Sequence, residues 1–133
     1  MSIEGNKKLV TEFFGKISTN DLAGAFAMIH DDVVWWSAGG DLFPYSGTKT
    51  KSEWVATTSE IASIFPKGLA LLPKGMVAEG ERVAVEVVGH GVTPAGRNYD
   101  NLYHFLITLK DGKIIAAKEY MDTLYAKVTL LDP

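Results

Sequence analysis

The chain contains no cysteine, which removes disulfide staples, thiolate metal ligands and thiol nucleophiles and makes the fold indifferent to redox compartment. No stretch approaches the roughly twenty consecutive apolar residues that a bilayer span requires. The N-terminal MSIEGNKKLVTEFF sets charges on both sides of its few apolar positions, unlike a secretory signal. A soluble, cytoplasmic protein with no membrane partner is expected. The lysines are not gathered into a stripe: residues 7, 8, 16, 49, 51, 67, 74, 110, 113, 118 and 127 are scattered among acids, and the net charge is −3. A nucleic-acid footprint is therefore missing. Missing too are a Gly-rich phosphate loop after a strand and a Gly-x-Ser-x-Gly elbow. No cofactor is expected, and the partners narrow to a small molecule or another protein chain.

What is present reads as one domain over residues 1–133, long enough to bury roughly two-thirds of its unfolded surface. Ile3, Leu9, Val10, Phe13, Phe14 and Ile17 recur at helical spacing, and Asn20-Asp21 offers an N-cap for a second short helix that turns Leu22, Ala25, Phe26 and Ile29 inward. Asp32–Ser37 is a short strand, followed by a loop carrying Phe43 and Tyr45. A third helix runs from about Thr50 to Phe65, with Trp54, Ile61, Ile64 and Phe65 on its apolar stripe, and stops at Pro66 and Gly68. Four strands follow: Leu69–Glu79, Arg82–Val92, Asn98–Lys110 and Lys113–Thr123. Their turns fall at Glu79-Gly80-Glu81, Thr93–Gly96 and Asp111-Gly112. Three helices, one early strand and a four-strand meander predict an α+β fold in which the helices cover one face of a single curved sheet.

The order of these elements, the HDDVVWW run after the second helix, the Ser46-Gly47-Thr48 step into the third, and the closing DGKI and EYMDT together resemble the nuclear transport factor 2-like superfamily, in its SnoaL-like and ketosteroid-isomerase-like branch. The resemblance covers essentially the whole chain. It implies a cone-shaped α+β barrel, three N-terminal helices packed on a strongly curved, mostly antiparallel sheet, with alternate residues of the last strands lining the cone. A ketosteroid isomerase of this fold uses a tyrosine on the first helix and two aspartates, at the end of the first strand and on the penultimate strand. Those positions are Phe13, Ser37 and Phe105 here, so steroid isomerase activity is not expected. Epoxide hydrolases of the superfamily use an Asp–Arg–Asp set, whereas the nearby Arg97 lies outside the rim.

The turns decide which side chains face the cone. With a three-residue loop at Lys110–Gly112, Phe105 opposes Ala117, Tyr103 opposes Glu119 and Asn101 opposes Met121. With a four-residue loop at Thr93–Gly96, Glu86 opposes Tyr103 and His90 opposes Tyr99. One face then holds Glu86, Val88, His90, Asn101, Tyr103, Phe105, Ala117, Glu119 and Met121; the other holds Val85, Val87, Leu102, His104, Leu106, Lys118, Tyr120 and Asp122. A two-residue turn at Asp111-Gly112 exchanges Glu119 for Tyr120 and Asp122. The superfamily layout favours the first arrangement. Gly89-His90-Gly91 reads as a bulge or kink.

Two glutamates and a tyrosine inside an apolar cone point to acid–base chemistry, because burial and a second carboxylate both raise a carboxyl pKa. The candidate catalytic residues are Glu119, Glu86 and Tyr103. Substrate contacts are expected from Asn101, Trp35, Trp54, Phe13, Phe105, Met121 and His90, with Phe14, Phe43, Tyr45 and Phe65 adding to the aromatic lining. His30, His90 and His104 fall on separate elements and faces, so no metal site is expected. The leading function is a cofactor-independent isomerase, cyclase or dehydratase acting on an apolar carbonyl compound. The alternatives are a non-catalytic binder of a hydrophobic small molecule and a dimerisation module. A homodimer through Val85, Val87, Leu102, Leu106 and Tyr120 is expected in each case.

Overall fold

A computed structural model describes residues 2–132. Helix α1 (Ile3–Ser18) starts where the Ser2 hydroxyl accepts from Gly5 N and buries Val10, Phe13, Phe14 and Ile17 along one stripe. Asn20, at φ 62°, turns the chain, and Asp21 caps the short α2 (Leu22–Ala27). Strand β1 (Ile29–Ser37) begins at Ile29, which belongs to the strand rather than to the helix. A 3-10 turn at Gly40–Leu42 leads to β2 (Gly47–Lys49), too short to carry a recognisable alternation. The Thr50 and Glu53 side chains close a reciprocal capping box that starts α3 (Lys51–Ser63). The meander follows as β3 (Ala70–Glu79), β4 (Arg82–Val92), β5 (Asn98–Lys110) and β6 (Lys113–Met121).

These strands form one curled six-stranded sheet in the order β2-β1-β6-β5-β4-β3. β1 runs parallel to β6, and the other pairings are antiparallel. The sheet is thus mixed and stays open, with β2 and β3 as its edges rather than joined into a barrel. The helices and the sheet's inner face enclose one core, built on Val10, Phe14, Ile29, Val83, Val85, Ile107 and Ile114. After β6, Asp122 caps a short α4 (Thr123–Ala126), which continues as a π-helical turn, Lys127–Leu131. This segment packs back against the start of β5, where Tyr125 Oη accepts from Asp100 N at 3.0 Å and donates to Asn98 O at 3.0 Å. Arg97 holds it by donating to Val128 O at 3.2 Å and Asp132 O at 3.1 Å.

Both turn readings need correction, with opposite consequences. Thr93 N donates to Arg97 O at 2.9 Å, leaving a three-residue loop, Pro94–Gly96, with Gly96 at φ 82°. Val87 therefore opposes Tyr103, and Glu86 opposes His104. The parity of β4 is the reverse of that expected: Val85 and Val87 are core residues, while Glu86 and His90 lie on the exposed outer face. At the last hairpin, Asp111 (φ 54°) and Gly112 (φ 75°) form a two-residue turn with both centres left-handed, and Lys110 pairs with Lys113. That turn alone would send Glu119 outward. The pairing slips by one residue between Leu109↔Ile114 and Thr108↔Ala116, so Ile115 is a bulge that restores the parity. Glu119 opposes Phe105 on the inner face.

Gly89 and Gly91 are not a bulge, since the β4–β5 ladder runs through them without a shift. They leave room for rings: a Cβ on Gly89 would sit 2.7 Å from Tyr103 Cε1, and one on Gly91 would sit 2.6 Å from Phe65 Cδ1. The irregularity lies in edge strand β3, between Pro73 and Gly75, where the missing Pro N–H is tolerated. Gly91→Ala should destabilise the protein by about 1–3 kcal/mol through overpacking. Gly15→Ala, on an exposed helical position with nothing within 4 Å of the new Cβ, should stabilise it by roughly 0.5–1 kcal/mol. Urea titrations of both variants would check the pair.

Candidate active site

The inner face of the sheet, α1, α3 and the C-terminal turn surround a cavity of about 100 Å³. That is several times the roughly 10–15 Å³ one water needs, so the space is larger than an ordinary packing void. Its wall is aromatic. Trp35 and Trp54 lie 4.7 Å apart, centroid to centroid, Phe13 packs 6.1 Å from Trp54, and Phe105 stacks at 5.7 Å on Tyr103. Phe14, Phe43, Tyr45 and Met121 also line the space. Phe65 does not; its ring fills the hollow over Gly91 and packs against Tyr99.

Among the described residues, Glu119 is the one carboxylic acid in the wall. Its Oε1 accepts from the Trp35 indole N–H at 2.9 Å and from the Ser37 hydroxyl at 3.2 Å. Both donors stand on β1 two residues apart, hence on one face, and the parallel register sets Ser37 beside Glu119. Trp35 thus supplies both wall and hydrogen bond. Burial pushes the Glu119 carboxyl pKa upward, and the Trp35 and Ser37 hydrogen bonds and the Lys49 charge oppose that rise.

A second polar cluster stands one strand away. Tyr99 and Tyr103 share a 2.6 Å hydrogen bond between hydroxyls, and Asn101 Nδ2 donates to Tyr99 Oη at 2.8 Å and to Asp122 O at 3.1 Å. Asn101 is 1 % exposed and reaches the cavity only through Tyr99. Desolvation drives the Tyr103 pKa well above its ordinary value, so the phenol remains an O–H donor at neutral pH. Tyr103 opposes Met121 and so lies diagonally from Glu119, a separation of about 7–8 Å or a little less between Cβ atoms.

The sequence-derived set therefore divides. Glu119, Tyr103, Trp35, Trp54, Phe13, Phe105 and Met121 converge on the cavity, and Asn101 lies immediately behind it. Glu86 and His90 do not belong to it. Glu86 is exposed beside His104, and His90 Nδ1 meets Asp100 Oδ1 at 2.5 Å on the outer face. The carboxylate pair inferred from sequence is a single carboxylate. Phe13, Ser37 and Phe105, aligned with the isomerase's catalytic positions, do line the cavity but bring no acid to it. Sequence reasoning missed Lys49, whose strand is three residues long, and Tyr99, which shares Tyr103's face by simple alternation.

A family model of the SnoaL-like domain matches residues 10–117. The chain belongs to the SnoaL-like family. Its fold is that of a nuclear transport factor 2-like protein of unknown function from Burkholderia pseudomallei K96243, with a TM-score of 0.83, 22 % identity, and coverage of 98 % of this chain and 99 % of that one. TerC, crystallised with polyporic acid, aligns with a TM-score of 0.82 at 20 % identity over 95 % of this chain and 98 % of its own. IdmH of Streptomyces antibioticus, a candidate polyketide cyclase, gives a TM-score of 0.77 at 19 % identity over 95 % of each chain. No protein of curated function matches the sequence. No helix among the described residues is long and apolar enough to cross a membrane.

The Glu119 environment sets a stability signature. Its folded pKa is raised above the unfolded value, so its contribution is fully present below the unfolded carboxyl pKa of about 4.3 and is lost as pH rises through the folded value. Glu119→Gln, which keeps an acceptor for Trp35 and Ser37, should match the wild type in melting temperature near pH 4 and exceed it at pH 7 and above. Thermal melts across that range would show the divergence.

Proposed function

We propose that this SnoaL-like protein is a cofactor-independent acid–base enzyme acting on an apolar, carbonyl-bearing metabolite. Glu119 is the proton acceptor and Tyr103 the hydrogen-bond donor to the developing oxyanion. The observation that carries this reading is one carboxyl held inside an aromatic cavity, its Oε1 bound by Trp35 and Ser37. Its Oε2 is engaged by no partner among the described residues. A raised carboxyl pKa makes Glu119 a stronger base than a solvated carboxylate. When Tyr99 donates to Tyr103, the Asn101, Tyr99 and Tyr103 chain leaves the Tyr103 O–H free to bind a carbonyl oxygen.

In the proposed reaction Glu119 removes the proton α to the carbonyl, and the electron pair moves onto the oxygen bound by Tyr103. Return of the proton to a different carbon gives an isomer. Attack of the enolate carbon on a second carbonyl forms a ring bond, and the new alkoxide takes the proton back from Glu119. Both outcomes balance without cofactor. The neighbours crystallised with polyporic acid or described as a candidate polyketide cyclase support an oxygenated small-molecule ligand.

The protein is also proposed to act as a homodimer through the outer face of the sheet. The residues differ from those expected, since Val85 and Val87 are buried in the core. The exposed apolar side chains are Val77 (74 %), Leu102 (68 %) and Tyr120 (43 %), with Leu72 and Leu106 beside them. Together they form a patch of the kind that marks an association surface. Leu102→Lys should convert the dimer to a monomer by sedimentation, with the fold intact. A wild-type monomer at micromolar concentration would overturn the assembly.

The reaction is tested without knowing the substrate by following deuterium uptake α to the carbonyl in a panel of cyclic 1,3-diketones and aryl ketones in D2O. Glu119→Gln should lower exchange roughly 10²–10⁴-fold and Tyr103→Phe roughly 10²–10³-fold. The acidic limb of the rate profile should sit above the ordinary carboxyl range, because the active form is ionised Glu119. Exchange no faster than in buffer alone would leave the cavity as a binding site without turnover, and faster exchange that ignores Glu119→Gln would remove Glu119 as the base.

A further inference from the structure

Among the described residues the cavity wall holds one cation, and no carboxylate pairs with it. Lys49 reaches inward from edge strand β2, and its ammonium is held from behind by backbone carbonyls: Tyr45 O at 2.5 Å, Ser46 O at 3.4 Å and Gly47 O at 3.5 Å. The ion pairs among the described residues join Lys16 to Asp21, Lys51 to Asp31, His90 to Asp100 and Lys127 to Asp132. Lys49 is in none of them. Carbonyl dipoles aim the ammonium without cancelling its charge. Burial is the largest influence on Lys49 and lowers its pKa, with the more distant Glu119 and Glu53 acting against it. A partly desolvated charge that lacks a counter-charge is stabilised by a ligand that brings one.

The register gives this cation a place in the site. Lys49 pairs with Trp35 across β2 and β1, Ser37 pairs with Glu119 across β1 and β6, and Tyr103 lies on the next strand. Cation, carboxyl and phenol therefore follow one another across the wall. A flat ligand against Trp35 and Trp54 can place one oxygen at Lys49 and another at Tyr103.

We infer that the cavity selects a monoanionic aromatic or polycyclic ligand, whose acidic oxygen docks on the Lys49 ammonium while its rings lie against Trp35 and Trp54. This names the ligand class for the site of the proposed reaction, and it rests on the cavity being a ligand site, not on turnover. The acidic oxygen belongs to a carboxylate or to an ionised enol, which share the same chemistry at Lys49.

The test uses matched pairs at neutral pH, read by quenching of tryptophan fluorescence: 2-naphthoate against methyl 2-naphthoate, and 2-hydroxy-1,4-naphthoquinone against 1,4-naphthoquinone. The wild type should bind at least one anion about tenfold or more tightly than its neutral partner, and the pair that shows the preference tells carboxylate from enolate. Lys49→Met should bring that ratio close to one while neutral-ligand affinity stays within about threefold. Lys49→Arg should retain a preference. Equal affinity in both wild-type pairs, no binding of either anion, or a preference that survives Lys49→Met overturns the inference. Should Lys49→Met fail to fold, the wild type labelled with 15N-lysine decides: the Lys49 ammonium signal must move with the preferred anion and not with its neutral partner. Glu119→Gln keeps the two ideas separable. Charge preference that persists without Glu119-dependent exchange sinks the reaction alone, and Glu119-dependent exchange without charge preference sinks the Lys49 assignment alone.

Discussion

The cavity owes its chemistry to one extra residue in the last strand. Side chains alternate across a sheet with a period of two, so a single-residue offset moves a whole strand's set from one face to the other. The Asp111-Gly112 turn by itself would point Tyr120 and Lys118 into the core and Glu119 toward solvent. Ile115, unpaired between Ile114 and Ala116, takes up the offset. Below the bulge Ile114 is buried in the core, and above it Ala117, Glu119 and Met121 face inward. The bulge thus lets one strand serve the core at one end and the cavity at the other.

A carboxyl and an ammonium inside an aromatic cavity are each costly, because desolvation penalises the charged form of both. The protein offsets the cost locally and incompletely. Glu119 receives two donors from β1, and Lys49 receives two carbonyls from the loop that precedes β2 and a third from Gly47 at the start of β2 itself. Neither satisfies the other at contact distance. The tyrosine cluster is different: Tyr99, Tyr103 and Asn101 bond to one another and to the backbone at Asp122, and so present a rigid, neutral wall. One side of the cavity is electrostatically settled, and the other keeps unspent charge.

The same scaffold tolerates this rearrangement because a fold supplies positions and not reactions. Phe13, Ser37 and Phe105, the positions that the resemblance to the isomerase-like branch matches with its functional groups, all line the cavity. Here two of them are aromatic wall. The third, Ser37, has become a donor to Glu119 on the neighbouring strand. The carboxyl of this cavity stands on β6 and none of those three positions carries one, so family membership alone says little about the reaction.

Local sequence determined most of the scaffold. Apolar spacing gave α1, the Thr50 and Glu53 capping pair marks the start of α3, and the turn glycines mark the ends of the four long strands, because each of these signals is satisfied within a few residues. The aromatic wall at Phe13, Trp35, Trp54 and Phe105 was legible for the same reason. Register was not. Whether Thr93 to Arg97 closes as a three- or a four-residue loop changes the local chain only slightly, yet it moved Glu86 and His90 to the outer face and Val85 and Val87 to the core. The bulge at Ile115 leaves no local mark, and the parallel pairing of β1 with β6 joins residues more than eighty positions apart. Lys49 on its three-residue strand became part of the site by pairing with Trp35 of β1, which that parallel pairing sets beside Glu119. These features were fixed only when the sheet assembled, because burial of one whole face selects a register that no single turn determines.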